Sequence, residues 1–157
     1  MKLSKQTLAF IKNLATINTN LLIRPGNTLS TISSDKTIVA EVTVQETFPV
    51  QFGIYDLNEF LGIVSIFNDP DVNMTSNEMT ILEGKNRIRY LPADADILVS
   101  PKSKVKFPGD AEVSFKISAS ELTQIIKAAS VMKAPNVTFS GNGSEISIKV
   151  HDKTNVN

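Results

Sequence analysis

The chain has 157 residues, of which 41% are hydrophobic, and its 16 lysines and arginines balance its 16 aspartates and glutamates. This length suits one large domain or two small ones, each with a hydrophobic core. A formal net charge of zero argues against binding of polyanions through overall charge, although positive charge can still be concentrated on one face. The absence of cysteine excludes disulfides, a thiolate nucleophile and zinc–thiolate sites. A first stretch too polar for a signal peptide and the lack of an apolar run of about 18 residues predict a soluble intracellular protein.

The first predicted element is an amphipathic helix. Ser4 is a typical N-cap, and the helical pattern runs to about Ile17. At about 100° per residue, the apolar side chains fill one arc that is predicted to be buried: Leu8, Phe10, Ile11, Leu14, Ala15 and Ile17. The opposite arc is predicted to face solvent: Lys5, Ala9, Lys12, Asn13 and Thr16.

Strands follow the first helix. Alternating and apolar segments bounded by turn residues predict strands at residues 20–24, 28–33, 37–44 and 49–55. A second helix is predicted over residues 57–67, where Asp69-Pro70 stops it. Three short strands are then predicted between residues 71 and 92, with turns at Ser76-Asn77 and Gly84-Lys85.

Residues 92–110 differ from their surroundings in composition. They contain Pro92, Pro101 and Pro108 around a central apolar group, Ile97-Leu98-Val99. This pattern predicts a connector between a first domain at residues 1–91 and a second at 111–157.

The pattern restarts after the connector. A strand is predicted at residues 111–117, and a helix is predicted from Ser118 or Ser120 to about Lys133, with a buried arc: Leu122, Ile125, Ile126 and Ala129. A hairpin then turns at Gly141-Asn142-Gly143.

The helices and strands form an internal repeat of one helix followed by a short antiparallel meander, used about three times. Copies of a unit that cannot bury its own apolar face are expected to stack. The predicted fold class is α+β, with antiparallel sheets on one side and helices on the other.

Catalysis has little support. The single histidine, His151, lies near the end of the chain, so neither a Ser-His-Asp triad nor a histidine metal cluster can be assembled. The carboxylate pairs Asp69/Asp71 and Asp94/Asp96 lie in proline-flanked turns without the glycine and glutamate of a calcium loop, which favours ordinary turn residues. We therefore predict no enzyme activity, no cofactor and no metal.

The exposed helix stripes are more informative. They carry lysines and small or uncharged polar residues: Lys5, Lys12, Thr16, Asn58, Gln124 and Lys127. The acidic residues instead concentrate in the strands and turns. Isolated cations without aromatic residues suit sequence-independent contact with a phosphate backbone. The alternative is a non-DNA protein-interaction scaffold of repeated helix–sheet units, on which the lysines are simply solvated.

Four stretches together resemble the sliding clamps of T-even-type phages, the processivity factors of the phage DNA polymerase. They are "MKLSKQTLAFIKNLATIN" at the start, "IYDLNEFLGIVSIFND" at 54–69, "LPADADILVSPKSKVKFP" at 91–108 and "ISASELTQIIKAAS" at 117–130. The resemblance extends over nearly the whole chain, and the Tyr55-Asp56-Leu57-Asn58 turn and the proline-bounded connector are its most specific parts.

The resemblance implies a ring of three subunits with two similar domains each, helices on one concave face and sheets outside. It implies that duplex DNA passes through the ring without base-specific contact, that an ATP-dependent clamp loader opens the ring, and that the replicative DNA polymerase is tethered to it in the cytoplasm of the infected host cell. The helix stripe would face the DNA, through Lys5, Lys12, Thr16, Asn58, Gln124 and Lys127. The connector residues Ile97, Leu98 and Val99 would form one wall of a pocket for partner C-terminal peptides, or would simply plug the groove between the domains.

Against the same family, residues 111–157 correspond to the first half of a second domain. We therefore expect a chain truncated at its C-terminus, with a homotrimer forming only at full length. The 157-residue chain by itself is expected to be a monomer, or a dimer joined through an edge strand near residues 144–150.

Overall fold

The computed structural model describes residues 1–102 and 113–152. The chain forms two compact units, residues 1–106 and 107–157, which we describe separately. Within the described ranges, none of the helices has the length and apolar content needed to cross a bilayer.

The first unit contains two α-helices. Helix α1 (Lys5–Ala15) begins at the predicted cap, where the Ser4 hydroxyl accepts the Thr7 N–H at 3.1 Å. Helix α2 (Leu57–Val64) is capped by the Asp56 carboxylate, which accepts the Asn58 N–H at 2.8 Å.

Helix α2 ends earlier than the predicted residue 67. Beyond Val64 the backbone bonds tighten to the i→i−3 type, since the Ile66 N–H donates to the Ile63 carbonyl and the Phe67 N–H to that of Val64. Such a tightened last turn is a common way to end a helix.

The strands of the first unit pair antiparallel. Strand β1 (Leu21–Ile23) pairs with β4 (Phe52–Ile54), and β2 (Gly26–Ile32) pairs with β3 (Val39–Phe48). Strand β3 runs four residues beyond its predicted end because its register with β2 shifts at a bulge near Gly26, which brings Phe48 opposite Gly26.

The predicted meander is present. It consists of β5 (Asp71–Met74), β6 (Met79–Glu83) and β7 (Asn86–Tyr90), paired in that order. Gly84 has φ of +59° in the turn between β6 and β7, a conformation that glycine adopts without steric cost.

The core of the first unit lies between the two helices and the strands, and it explains why α1 and α2 take a fixed place. Both helices bury one side, α1 through Ile11 and Leu14 and α2 through Leu57, Phe60 and Val64. Strand residues complete the core: Leu21, Ile23, Leu29, Val44, Phe48, Phe52, Ile54, Val72, Met79 and Ile81.

The start of the predicted connector lies on the first unit. Asp94 caps a 3-10 helix (Ala95–Ile97), and the Asn18 side-chain amide donates to the Val99 carbonyl at 3.2 Å. The Arg24 guanidinium donates to the Pro101 carbonyl at 2.9 Å. The part of the predicted connector at residues 103–110 lies outside the described residues, as do residues 111 and 112 of the next predicted strand.

The second unit contains helix α3 (Ala119–Val131) and a hairpin of β8 (Asn136–Gly141) and β9 (Ile146–His151). Helix α3 begins with a capping box, in which the Ser118 hydroxyl accepts the Glu121 N–H and the Glu121 carboxylate accepts the Ser118 N–H.

Two predictions about the second unit were wrong. Residues 113–117 form no strand, because they have no pairing partner among the described residues. In the predicted buried arc of α3, Leu122 is 39% and Ile126 55% exposed, while Ile125 and Ala129 are half-buried. The helix packs on the hairpin along one side only, chiefly against β9, which leaves the rest of the arc uncovered in the described part of the chain.

Candidate nucleic-acid interface

A groove of about 640 Å³ runs between α1 and α2 on the surface of the first unit. Its floor is apolar, with Leu8 and Leu61 half-buried and Val64 buried. One rim is formed by α1 and the other by α2. The groove forms because both helices turn their most apolar residues toward the core. Long polar side chains are left on the α1 rim and short ones on the α2 rim.

The α1 rim carries two lysines. Lys5 and Lys12 are exposed and seven residues apart, which separates them by about 10 Å along the helix axis. Neither forms an ion pair within the described ranges, whereas Lys2 pairs with Asp69 at the end of the groove. The lysines of α1 are thus available to an external anion.

The α2 rim is uncharged where it faces the groove. Asn58, Gly62 and Ser65 line it, and all three are exposed. A Cβ placed on Gly62 would meet no atom within 4 Å, so this side is open as well as neutral. Glu59, in the first turn of α2, is not among the lining residues and stabilises the helix dipole.

The structure brings together three of the six predicted DNA-facing residues, Lys5, Lys12 and Asn58. Thr16 lies just beyond α1 as its C-cap, where its hydroxyl donates to the Asn13 carbonyl at 2.7 Å. Gln124 and Lys127 are exposed on α3 in the second unit.

Sequence reasoning missed a polar cluster behind α1. The Glu46 carboxylate accepts the Ser4 N–H and the Thr7 hydroxyl, each at 2.5 Å. Partial burial acts to raise the pKa of Glu46, but the hydrogen bonds from Thr7 and Ser4 outweigh it and hold the pKa below its ordinary value of 4.5. The predicted strand ended at residue 44, so the acid at position 46 falls in a core-facing phase only in the longer strand β3 that the structure shows.

The predicted pocket residues of the connector have different environments. Leu98 is 8% exposed and packs over Gly53, Val99 is half-buried, and Ile97 is 61% exposed. A groove of about 360 Å³ beside the connector is lined by other residues: Arg24, Pro25, Thr28, Ser30, Glu41, Pro101 and Lys102. None of Ile97, Leu98 and Val99 is among the described residues that line this groove, and their role as a pocket wall stays a prediction.

Comparison with known proteins identifies the family. A sequence model described as DNA polymerase processivity factor matches residues 2–99. This chain belongs to the DNA polymerase processivity factor family.

Curated relatives agree with the family model. The chain is 31% identical to the sliding clamp of Enterobacteria phage T4 over 156 residues, which covers 98% of this chain and 68% of the relative. It is 29% identical to the sliding clamp of Escherichia phage RB69, with the same shares covered. It is 27% identical to the sliding clamp of Vibrio phage KVP40, covering 84% of this chain and 61% of that relative.

Family membership confirms the resemblance seen in the sequence and the α+β clamp fold. It also confirms the predicted class of function, a phage DNA replication factor that is not an enzyme and that works with DNA and a DNA polymerase. The alternative of a non-DNA interaction scaffold is thereby set aside.

Proposed function

We propose that this processivity factor meets the DNA backbone through the rims of the α1–α2 groove, with Lys5 and Lys12 as its phosphate contacts. The observation that carries the proposal is two exposed lysines on one rim, neither in an ion pair among the described residues, opposite an uncharged rim. In such an arrangement the lysine rim attracts phosphates, while the uncharged rim does not hold the duplex.

The composition of the groove supports contact that does not depend on base sequence. Phosphate contacts by lysine carry no sequence information, whereas base recognition needs hydrogen bonds to base edges or aromatic side chains for stacking. The aromatic residue in the lining is Phe67, which is only 8% exposed and belongs to the core. The short side chains of Asn58 and Ser65 suit contact through water, which lets DNA slide.

The proposal extends to the second unit and to assembly. Gln124 and Lys127 on α3, and Thr16 at the end of α1, are proposed as further DNA-facing residues, and the subunits are proposed to form a ring of three. Duplex DNA passes through this ring, an ATP-dependent clamp loader opens it, and it acts in the cytoplasm of the infected host cell. The support for these finer points is the family to which the chain belongs.

The connector is proposed as part of the docking site for partner C-terminal peptides. Ile97 is the residue best placed to contact such a peptide, because most of its side chain is exposed. Leu98 instead fills the space over Gly53, and the Val99 carbonyl accepts a hydrogen bond from the Asn18 side-chain amide. A few side chains that become fully buried in well-packed pockets carry most of the binding energy of an interface.

Primer extension tests the proposed DNA-facing surface. Lys5→Glu with Lys12→Glu is expected to shorten the products made by the polymerase with its clamp loader at physiological salt. The matched control is Lys36→Glu with Lys85→Glu, which makes the same change in charge at exposed turns of the strands. Product lengths that fall equally for both pairs, or for neither, would contradict the proposed role of α1.

A further inference from the structure

Strand β3 breaks its own pattern at Glu46. Along this strand the even-numbered residues face the core: Ala40, Val42, Val44 and Phe48 are half-buried or buried, and the odd-numbered residues are exposed. Position 46 belongs to the core-facing set, yet it holds a carboxylate. A charged side chain in that phase costs desolvation unless it has partners, so its partners indicate what it does.

The partners that come from another element lie at the N-cap and in the first turn of α1. The carboxylate accepts the Ser4 backbone N–H and the Thr7 hydroxyl, and the Ser4 hydroxyl in turn accepts the Thr7 N–H. Thr7 is 1% exposed, and it takes a position where an apolar residue would be expected. Helix α1 has no acidic residue in its own first turn, so Glu46 supplies from a strand the negative charge that a helix N-terminus favours.

These bonds fix the direction in which the first turn of α1 points. At about 100° per residue, Lys5 lies about 160° around the helix from Thr7. Holding Thr7 against Glu46 therefore turns Lys5 away from the strands and onto the groove rim. Lys12 is held differently, because Ile11 and Leu14, about one and two turns beyond Thr7, are buried in the core.

We propose that Glu46 is a positioning residue for DNA contact: it fixes the first turn of α1 and thereby holds Lys5, but not Lys12, on the rim of the groove. This inference rests on the proposed role of the groove. In this account, the contribution of Lys5 to DNA binding depends on Glu46, a residue of strand β3 that does not itself contact DNA.

Two simpler roles give different results. If Glu46 only stabilises the fold, its loss lowers stability but leaves the DNA affinity of the folded protein unchanged. If Glu46 only repels phosphates, its loss strengthens binding. The positioning role alone predicts that loss of Glu46 weakens DNA binding when Lys5 is present and has no effect on it when Lys5 is absent.

A double-mutant cycle separates these cases. Glu46→Gln is combined with Lys5→Gln and, separately, with Lys12→Gln, and duplex binding is measured at several salt concentrations. Glu46→Gln is expected to lower the salt slope by up to about 0.9, the share of one phosphate contact. When Lys5→Gln is already present, Glu46→Gln should not lower the salt slope further. When Lys12→Gln is present instead, Glu46→Gln should lower the slope by the same amount as in the parent. Glu41→Gln, exposed on the same strand, is the control for removal of a carboxylate.

Three binding results would overturn the inference. They are parental affinity for Glu46→Gln, tighter binding, or the same loss in both lysine backgrounds. The folded fraction of each variant, measured by circular dichroism, is used to correct the affinities.

A second measurement does not depend on DNA. Amide residual dipolar couplings of the ¹⁵N-labelled chain report the orientation of each N–H group. In Glu46→Gln those of Lys5, Gln6 and Thr7 should change, while those of Asn13 and Leu14 should not. Unchanged couplings in the first turn would refute the positioning role. Changed couplings in a protein whose DNA binding ignores Lys5→Gln would uphold the positioning of α1 and reject the proposed DNA contact.

Discussion

The Ala93 N–H donates to the Gly53 carbonyl at 2.9 Å, and a Cβ on Gly53 would lie 2.3 Å from the Ala93 carbonyl oxygen. The same Cβ would lie 2.9 Å from Leu98 Cδ1. Strand β4 and the start of the connector are therefore close enough that only glycine fits between them. Residues 93–98 thus form part of the packed first unit.

Gly53→Ala is expected to destabilise the protein by about 1–3 kcal/mol, the usual cost of forcing an extra carbon into a packed site. Urea unfolding followed by circular dichroism measures the change. The control is Gly62→Ala, at an exposed and open position of α2, which should raise stability by up to about 1 kcal/mol through helix propensity. Equal stability of Gly53→Ala and the parent would show that the connector is not packed on β4.

Stability and peptide binding should separate at the connector. Leu98→Ala removes a buried side chain and is expected to cost about 2 kcal/mol. Ile97→Ala changes an exposed one and should alter stability by about 0.5 kcal/mol or less.

A C-terminal peptide of the polymerase, titrated by calorimetry, provides the second readout for these variants. We expect Ile97→Ala to weaken binding of the peptide with the fold intact. Unchanged peptide affinity for Ile97→Ala and Val99→Ala would remove the connector from the docking site.

The contribution of Glu46 to the stability of the folded protein should depend on pH. Partial burial acts to raise its pKa, but its hydrogen bonds from Thr7 and Ser4 prevail, so the folded protein holds the pKa below 4.5. The stability this carboxylate contributes is complete above that value and is lost as the pH falls through the lowered pKa. The free-energy gap between the parent and Glu46→Gln in urea unfolding should therefore narrow as the pH is lowered from 7 to 3.

Other acids do not confuse this comparison. Hydrogen bonds from Ser33 and Thr37 lower the pKa of Asp35, and those from Ser118 lower the pKa of Glu121. Both groups are present in the parent and in the variant, so their effects cancel in the difference. A gap between the two proteins that stays constant from pH 7 to pH 3 would contradict the role of the Glu46 hydrogen bonds.

Local signals in the sequence predicted most of the elements. Ser4 and Gly84 act through the chain next to them, as a cap and a turn, and α1 and the meander were found where these residues placed them. The Asp69-Pro70 stop placed the end of α2 at residue 67, whereas the helix ends at Val64. The exposed lysines of α1 followed from helical periodicity alone, because each faces away from the apolar arc.

Contacts between distant parts of the chain could not be predicted in this way. The bonds from Ser4 and Thr7 to Glu46 span about forty residues, and the close approach of Gly53 to Ala93 spans another forty. Periodicity also overestimated the burial of Leu122 and Ile126, because it shows which side of a helix is apolar but not whether anything covers that side.

The most direct test of the account is the salt dependence of duplex binding by the parent and by Lys5→Gln/Lys12→Gln. The slope of log affinity against log salt should fall by about 1.8 when both lysines are removed, the share of two phosphate contacts. Affinity should be the same for duplexes of unrelated sequence. A slope that does not change, or a clear preference for one sequence, would contradict backbone contact through the α1 rim.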